Sequence, residues 1–141
     1  MKSNNYVLLV EDNPNDIFLM RRVFDIDLLE YSVIVFDKAH QAIAFLNERK
    51  NNNHLPNLVL LDIKLLAGNG FDVLEHIKND AILKKIPTVM MSSSDRQDDK
   101  QKASDLGCDA YFEKLRTYVS LKQQLPMIID SWAIDYENDF R

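Results

Sequence analysis

The sequence predicts a doubly wound α/β domain, with five parallel strands in the order 2-1-3-4-5 and helices on both faces in a (βα)5 three-layer sandwich. Two observations lead there. Short apolar runs recur five times, at Tyr6–Val10, Ser32–Phe36, Leu58–Leu61, 88–91 and 110–112. Such runs, rich in Val, Ile and Leu, are the pattern of strands buried on both faces. The stretches between them carry apolar residues at helical spacing, so strand and helix alternate five times. That alternation implies a parallel sheet covered on each side. A length of 141 residues fits one such domain and leaves little room for a second. The chain 1–141 therefore reads as one domain with a core from about 5 to 134, free of internal repeats and linkers.

Each helix has its own signals. After the first strand, Asn13 offers an N-cap and Pro14 suits the first helical position. Asp16 falls in the first turn, and Ile17, Met20, Phe24 and Leu28 follow as an apolar stripe. Ala39, Ile43 and Leu46 mark a second helix, and residues 50–53 a polar loop after it. Phe71, Leu74 and Ile77 mark a third helix. Asp95 is placed to cap a fourth, whose thin apolar face is mainly Ala103 and Leu106, with Gly107 as a left-handed stop. Thr117 is placed to cap a fifth helix reaching Trp132. Pro126 should kink that helix or split it in two, and residues 135–141 read as a frayed tail.

Composition narrows the function. Hydrophobic residues at 46% and charged residues at 28% describe an ordinary globular protein. A net charge of −5 gives no basic footprint for nucleic acid. The single cysteine, Cys108, cannot form an internal disulfide, which suits a reducing compartment. The first apolar run is too short for a signal segment or a membrane span. The expectation is a cytoplasmic protein that binds neither nucleic acid nor membrane.

In the predicted topology a site forms beyond the C-terminal ends of the strands, at the switch point between strands 1 and 3. Strand 1 runs into Glu11-Asp12, strand 3 into Asp62, strand 4 into Ser92-Ser93-Ser94 and strand 5 into Glu113-Lys114. Carboxylates gathered at one spot repel one another, and a hard divalent cation such as Mg²⁺ relieves this with oxygen ligands. Lys114 supplies a compact positive charge that can hold Asp62 or a phosphoryl oxygen. Ser92 can donate a hydroxyl to another phosphoryl oxygen. Asp62 is then placed to attack phosphorus and form an aspartyl phosphate. Taken singly, each feature is ordinary turn, capping or surface chemistry. Four strand ends carrying the right groups in the right order are much more specific.

These residues resemble the receiver domains of bacterial two-component response regulators over roughly residues 5 to 134. The resemblance is carried by Val7-Leu8-Leu9-Val10-Glu11-Asp12-Asn13, Leu58-Val59-Leu60-Leu61-Asp62, Gly70 eight residues later, Ile86-Pro87-Thr88-Val89-Met90-Met91-Ser92, and Gly107-Cys108-Asp109-Ala110-Tyr111-Phe112-Glu113-Lys114. The Glu-Asp-Asn-Pro-x-Asp opening and the late Trp are most similar to single-domain receivers that partner phytochrome-type kinases.

The resemblance implies a flavodoxin-like fold and a set of roles. Asp62 is the phosphoacceptor, served by a histidine kinase or a histidine phosphotransfer protein. Glu11, Asp12 and Asp62 hold Mg²⁺ together with the Lys64 backbone carbonyl. Ser92 and Tyr111 are the switch pair, and Lys114 contacts the phosphoryl group. Such a protein is not an enzyme beyond its own phosphoryl transfer and autodephosphorylation. With no output domain in the sequence, signalling is expected through a downstream protein docked on helix 4, strand 5 and helix 5, or through a homodimer. Tyr118, Leu121, Ile128, Ile129 and Trp132 divide between core packing and that surface, with Trp132 the expected partner contact.

Three positions depart from the common family pattern: Ser92 stands for the more frequent Thr, and Leu66 and Leu115 stand where Pro is usual. The Lys-Pro bond is usually cis in the family. A cis bond to Leu115 would cost about 2.5–4 kcal/mol, so the chain carries either a trans bond with a reshaped loop or a strained cis bond. Two enzyme-class rivals fit less well. A haloacid-dehalogenase-type phosphohydrolase needs Asp-x-Asp at the first strand end, where this chain has Glu11-Asp12-Asn13. A flavodoxin-like cofactor binder needs a Ser/Thr-rich phosphate loop there. A receiver fold acting purely as an interaction module would not need the full set of Glu11, Asp12, Asp62, Ser92 and Lys114.

Overall fold

The fold is described by a computed structural model covering residues 4–136. Five strands, β1 (Tyr6–Val10), β2 (Ser32–Phe36), β3 (Leu58–Leu61), β4 (Thr88–Ser92) and β5 (Ala110–Glu113), alternate with α1 (Pro14–Ile26), α2 (Ala39–Asn51), α3 (Gly70–Lys78), α4 (Gln97–Asp105) and α5 (Tyr118–Trp132). All strand pairs are parallel, in the order β2-β1-β3-β4-β5. This is the predicted doubly wound, flavodoxin-like arrangement.

Alternate residues of each strand point to opposite faces of a sheet, and the two faces here bury different helices. Leu8, Val10, Val59, Leu61 and Met90 pack with α2, α3 and Ala103 of α4. Val7, Leu9, Leu58, Leu60 and Met91 pack with Met20, Val23 and Phe24 of α1 and with Leu121, Leu125, Ile128 and Ile129 of α5. The three central strands are buried throughout, whereas β2 and β5 are mostly half-buried. The edge position of those two strands leaves them short of cover that the apolar pattern alone does not reveal.

The first helix starts as expected. The Asn13 side chain accepts from the amides of Asn15 and Asp16, and Pro14 opens the helix. The third starts with a capping box the sequence analysis missed, in which Asn69 accepts from the Asp72 amide and Asp72 accepts from that of Asn69. Gly107 adopts φ +94°, a left-handed stop that spares a side chain the steric cost.

Other expectations need correction. Asp95 does not cap α4: Arg96 holds the cap position without a side-chain bond, while Ser94 Oγ accepts weakly from the Arg96 amide and donates to Asp99. Residues 50 and 51 belong to α2, because Lys50 is anchored by a 2.7 Å ion pair to Asp80. Pro126 sits inside one continuous helix, so α5 does not divide in two. Tyr136, expected in the frayed tail, donates its hydroxyl to the Pro56 carbonyl at 2.6 Å; the rest of that tail, 137–141, lies outside the described residues. No cis peptide bond occurs among the described residues, so the Lys114–Leu115 bond is trans.

Candidate functional site

Backbone hydrogen bonds carry the ladder one residue past the strands and deliver the polar residues to one place. The Glu11 amide donates to the Phe36 carbonyl, the Asp62 amide to that of Val10, and the Lys114 amide to that of Ser92, each at 2.9 Å. Each side chain thus leaves from the rigid end of a strand. Glu11, Asp62, Ser92 and Lys114 are all buried, and Asp12 is partly open.

At the centre is the ammonium of Lys114. It lies 2.5 Å from Glu11 Oε1, 2.6 Å from Asp62 Oδ2 and 3.0 Å from Asp16 Oδ2. The second carboxylate oxygens of Glu11 and Asp62 are held by backbone donors. Glu11 Oε2 accepts from the amides of Asp12 and Asn13, and Asp62 Oδ1 accepts from the Ile63 amide at 2.8 Å. Glu11, Asp16 and Asp62 therefore share a single buried cation. Burial, then the charge of Asp62, pushes the Glu11 carboxyl up to about 7, against the pull of Lys114. Burial alone would lower the Lys114 pKa, but hydrogen bonds to Asp62 and Glu11 outweigh it and hold the ammonium above its ordinary range.

Glu11, Asp12 and Asp62 each bring one carboxylate oxygen within 4.8 Å of the others. This all-oxygen set suits a hard divalent ion such as Mg²⁺ and offers nothing to a soft one. Asp12 and Asp62 open onto a cavity of about 730 Å³ lined also by Lys64, Ser92, Ser94, Arg96, Lys114 and Arg116. The Ser92 hydroxyl accepts from the Ser94 amide at 3.1 Å. Tyr111 is half-buried, and its hydroxyl donates to the Ser94 carbonyl at 2.8 Å, tying β5 to the loop before α4. The exposed side chain of Lys64 stands at the mouth.

The loop after Asp62 is shaped by close backbone packing. The Gly70 amide donates to the Ile63 carbonyl at 2.7 Å, and a Cβ on Gly70 would lie 2.0 Å from the Asp62 carbonyl oxygen. Only glycine admits that approach.

The structure thus brings Asp12, Asp62, Ser92, Lys64 and Lys114 to one cavity, with Glu11 behind it on the Lys114 ammonium and Tyr111 one hydrogen bond away through Ser94. The sequence analysis missed Asp16 as a member. It was read only as a first-turn acid of α1, yet the repeated acid in Glu-Asp-Asn-Pro-x-Asp was the available signal. Arg96 and Arg116 were missed too, because exposed arginines in loops carry no pattern of their own.

Comparison with known proteins agrees with this geometry. The family model described as the response regulator receiver domain matches residues 7–125. The response regulator Rcp1 of Synechocystis sp. is 32% identical over 128 residues, covering 89% of this chain and 87% of Rcp1. The polar-differentiation response regulator DivK of Brucella ovis is 30% identical over 108 residues, covering 77% of this chain and 82% of DivK. The crystal structure of the phosphorylated cyanobacterial phytochrome response regulator RcpA superposes with a TM-score of 0.83 at 32% identity, over 92% of this chain and 94% of RcpA. The Mn²⁺-bound form of Rcp1 gives a TM-score of 0.79 at 31% identity over the same shares.

Proposed function

The chain belongs to the response regulator receiver domain family of two-component signalling, and from that premise we propose that it is a phosphorylation switch with Asp62 as the phosphoacceptor. The observation that carries this reading is the buried Lys114–Asp62 contact at 2.6 Å beside a second and a third carboxylate. A lysine so placed holds the acceptor oxygen in position and remains charged to meet phosphoryl oxygens.

The donor is a sensor histidine kinase or a histidine phosphotransfer protein. A phytochrome-type kinase is favoured by the likeness to RcpA, a phytochrome response regulator. Glu11, Asp12 and Asp62, with the Lys64 backbone carbonyl, would hold Mg²⁺; the likeness to the Mn²⁺-bound Rcp1 supports a divalent ion there. When bound, the ion supplies charge neutralisation between these carboxylates and the incoming phosphoryl oxygens. Asp62 Oδ2 attacks phosphorus, and the phosphoryl group leaves its histidine nitrogen as the Asp62 acyl phosphate forms. Lys114 transfers its hold from the carboxylate to a phosphoryl oxygen. Ser92 gives up its bond from the Ser94 amide and donates its hydroxyl to another.

The readout follows from that movement. Displacing Ser92 loosens the turn to Ser94, whose carbonyl anchors Tyr111. Tyr111 then turns inward and α4 shifts. The surface of α4, β5 and α5 passes the change to a downstream protein or a second copy, with Trp132 as a contact. Incubation of the full chain with Mg²⁺ and acetyl phosphate, followed by intact mass, tests the reading. One added phosphoryl group that requires Mg²⁺ and vanishes in Asp62→Asn supports it. No addition under any donor contradicts it and leaves a pure interaction module.

A further inference from the structure

The run Glu11-Asp12-Asn13-Pro14-Asn15-Asp16 places one more acid at the site than the metal group uses. Asp16 is 4% exposed, and its Oδ2 accepts from the Lys114 ammonium at 3.0 Å across the fold. It stands outside the trio of Glu11, Asp12 and Asp62 whose oxygens converge. On its outer side the same oxygen lies 3.9 Å from Arg116 Nη1, whose side chain is half-exposed. An acid in the first turn of a helix gains from the helix dipole. The dipole, however, asks for neither burial nor a lysine from the opposite end of the sequence.

Two of the three carboxylates that hold Lys114, Glu11 and Asp62, belong to the metal group. A dication beside a buried ammonium would meet strong like-charge repulsion. We propose that Asp16 is a positioning residue for Lys114: it holds the ammonium while Glu11, Asp12 and Asp62 are given to a divalent ion. Arg116 balances the Asp16 carboxylate once the ammonium turns to a phosphoryl oxygen. This inference rests on the metal-dependent phosphoacceptor reading and assigns a division of labour among its four acids.

The test is a Mn²⁺ titration of the full chain, with free Mn²⁺ followed by electron paramagnetic resonance. It compares wild type, Asp16→Asn, Lys114→Met and the double variant, with folding checked by thermal melting. Asp16→Asn should weaken Mn²⁺ binding about tenfold, because the ammonium is thrown back onto the metal's carboxylates. In the Lys114→Met background the same substitution should cost under about threefold, a non-additivity that reports coupling through Lys114. Asp16→Ser, which suits a first turn, provides a second probe should the asparagine variant fold poorly. Equal losses in both backgrounds would mean that Asp16 acts only through its charge or its helix, and would overturn the proposal while leaving the metal reading intact. A wild-type chain that binds no Mn²⁺ would overturn both.

Discussion

At Gly70 an added methyl group has nowhere to go, since its nearest neighbour would be the backbone oxygen of Asp62 itself. Gly70→Ala should lower stability by about 1–3 kcal/mol, the usual cost of overpacking, and should also weaken divalent-ion binding, because the loop behind the acceptor must move. Thermal melting and a Mn²⁺ titration check both. Lys114 poses the opposite problem. Lys114→Ala leaves Glu11, Asp16 and Asp62 without their shared cation, and removing one partner of a buried ion pair is strongly destabilising. The variant should melt below wild type in chelator and recover more than wild type when Mg²⁺ is added. It should also lose the partner response to phosphorylation. Equal Mg²⁺ gains in both proteins would remove Lys114 from the charge balance of the site. At the mouth, the exposed Lys64 side chain lines the same cavity as Asp62. Lys64→Ala should speed loss of the phosphoryl group at least about threefold, by partial loss of shielding; an unchanged phosphoryl lifetime would show that Lys64 shields nothing.

The two helices beside the site are built to different standards. The third has a capping box and five buried residues, whereas the fourth has no side-chain cap and buries only Ala103. Few buried contacts mean a low cost of local opening. Hydrogen exchange should therefore be faster across α4 than across α3, and protection should change in α4 and its leading loop when Asp62 is phosphorylated. Uniform protection of both helices would contradict α4 as the mobile element. Elsewhere Asp80 joins α2 to the 3₁₀ turn at Leu83–Lys85. A hydrogen bond from Lys50, helped by the amides of Leu83 and Ile82, pulls its carboxyl down to about 2. A lowered native pKa favours the folded state while the unfolded carboxylate is ionised, above about 4. That contribution is lost as pH falls from about 4 toward 2. Asp80→Asn should flatten the stability profile in that window, as read by urea unfolding at stepped pH.

Across the whole molecule, the sheet order and the convergence of four strand ends were legible because apolar run, polar end and helix repeat in register with the topology. The site residues named from those ends gather around Lys114 and its cavity for the same reason. Less legible was whatever depends on neighbours rather than on local pattern. Asp16 is an ordinary first-turn acid until Lys114 arrives from β5, and the half-burial of β2 and β5 follows from their place at the edges. Pro126 argued for a kink or a division in two, but α5 stays one helix, gripped by Leu121, Leu125, Ile128 and Ile129 on both sides of it, and that packing outweighs one lost backbone bond. Asp95 does not cap α4, and the Ser94 hydroxyl, bonded to the Arg96 amide and Asp99, organises the turn before it. No helix among the described residues is long and apolar enough to cross a membrane.

On the proposed function one carboxylate, Asp62, receives the phosphoryl group. Phosphorylating the chain with acetyl phosphate and Mg²⁺, reducing the acyl phosphate with borohydride and mapping the peptides by mass locates the modified residue directly. Residue 62 alone should be converted to homoserine, and only when Mg²⁺ was present. Conversion at Glu11, Asp12 or Asp16 with Asp62 untouched would contradict it.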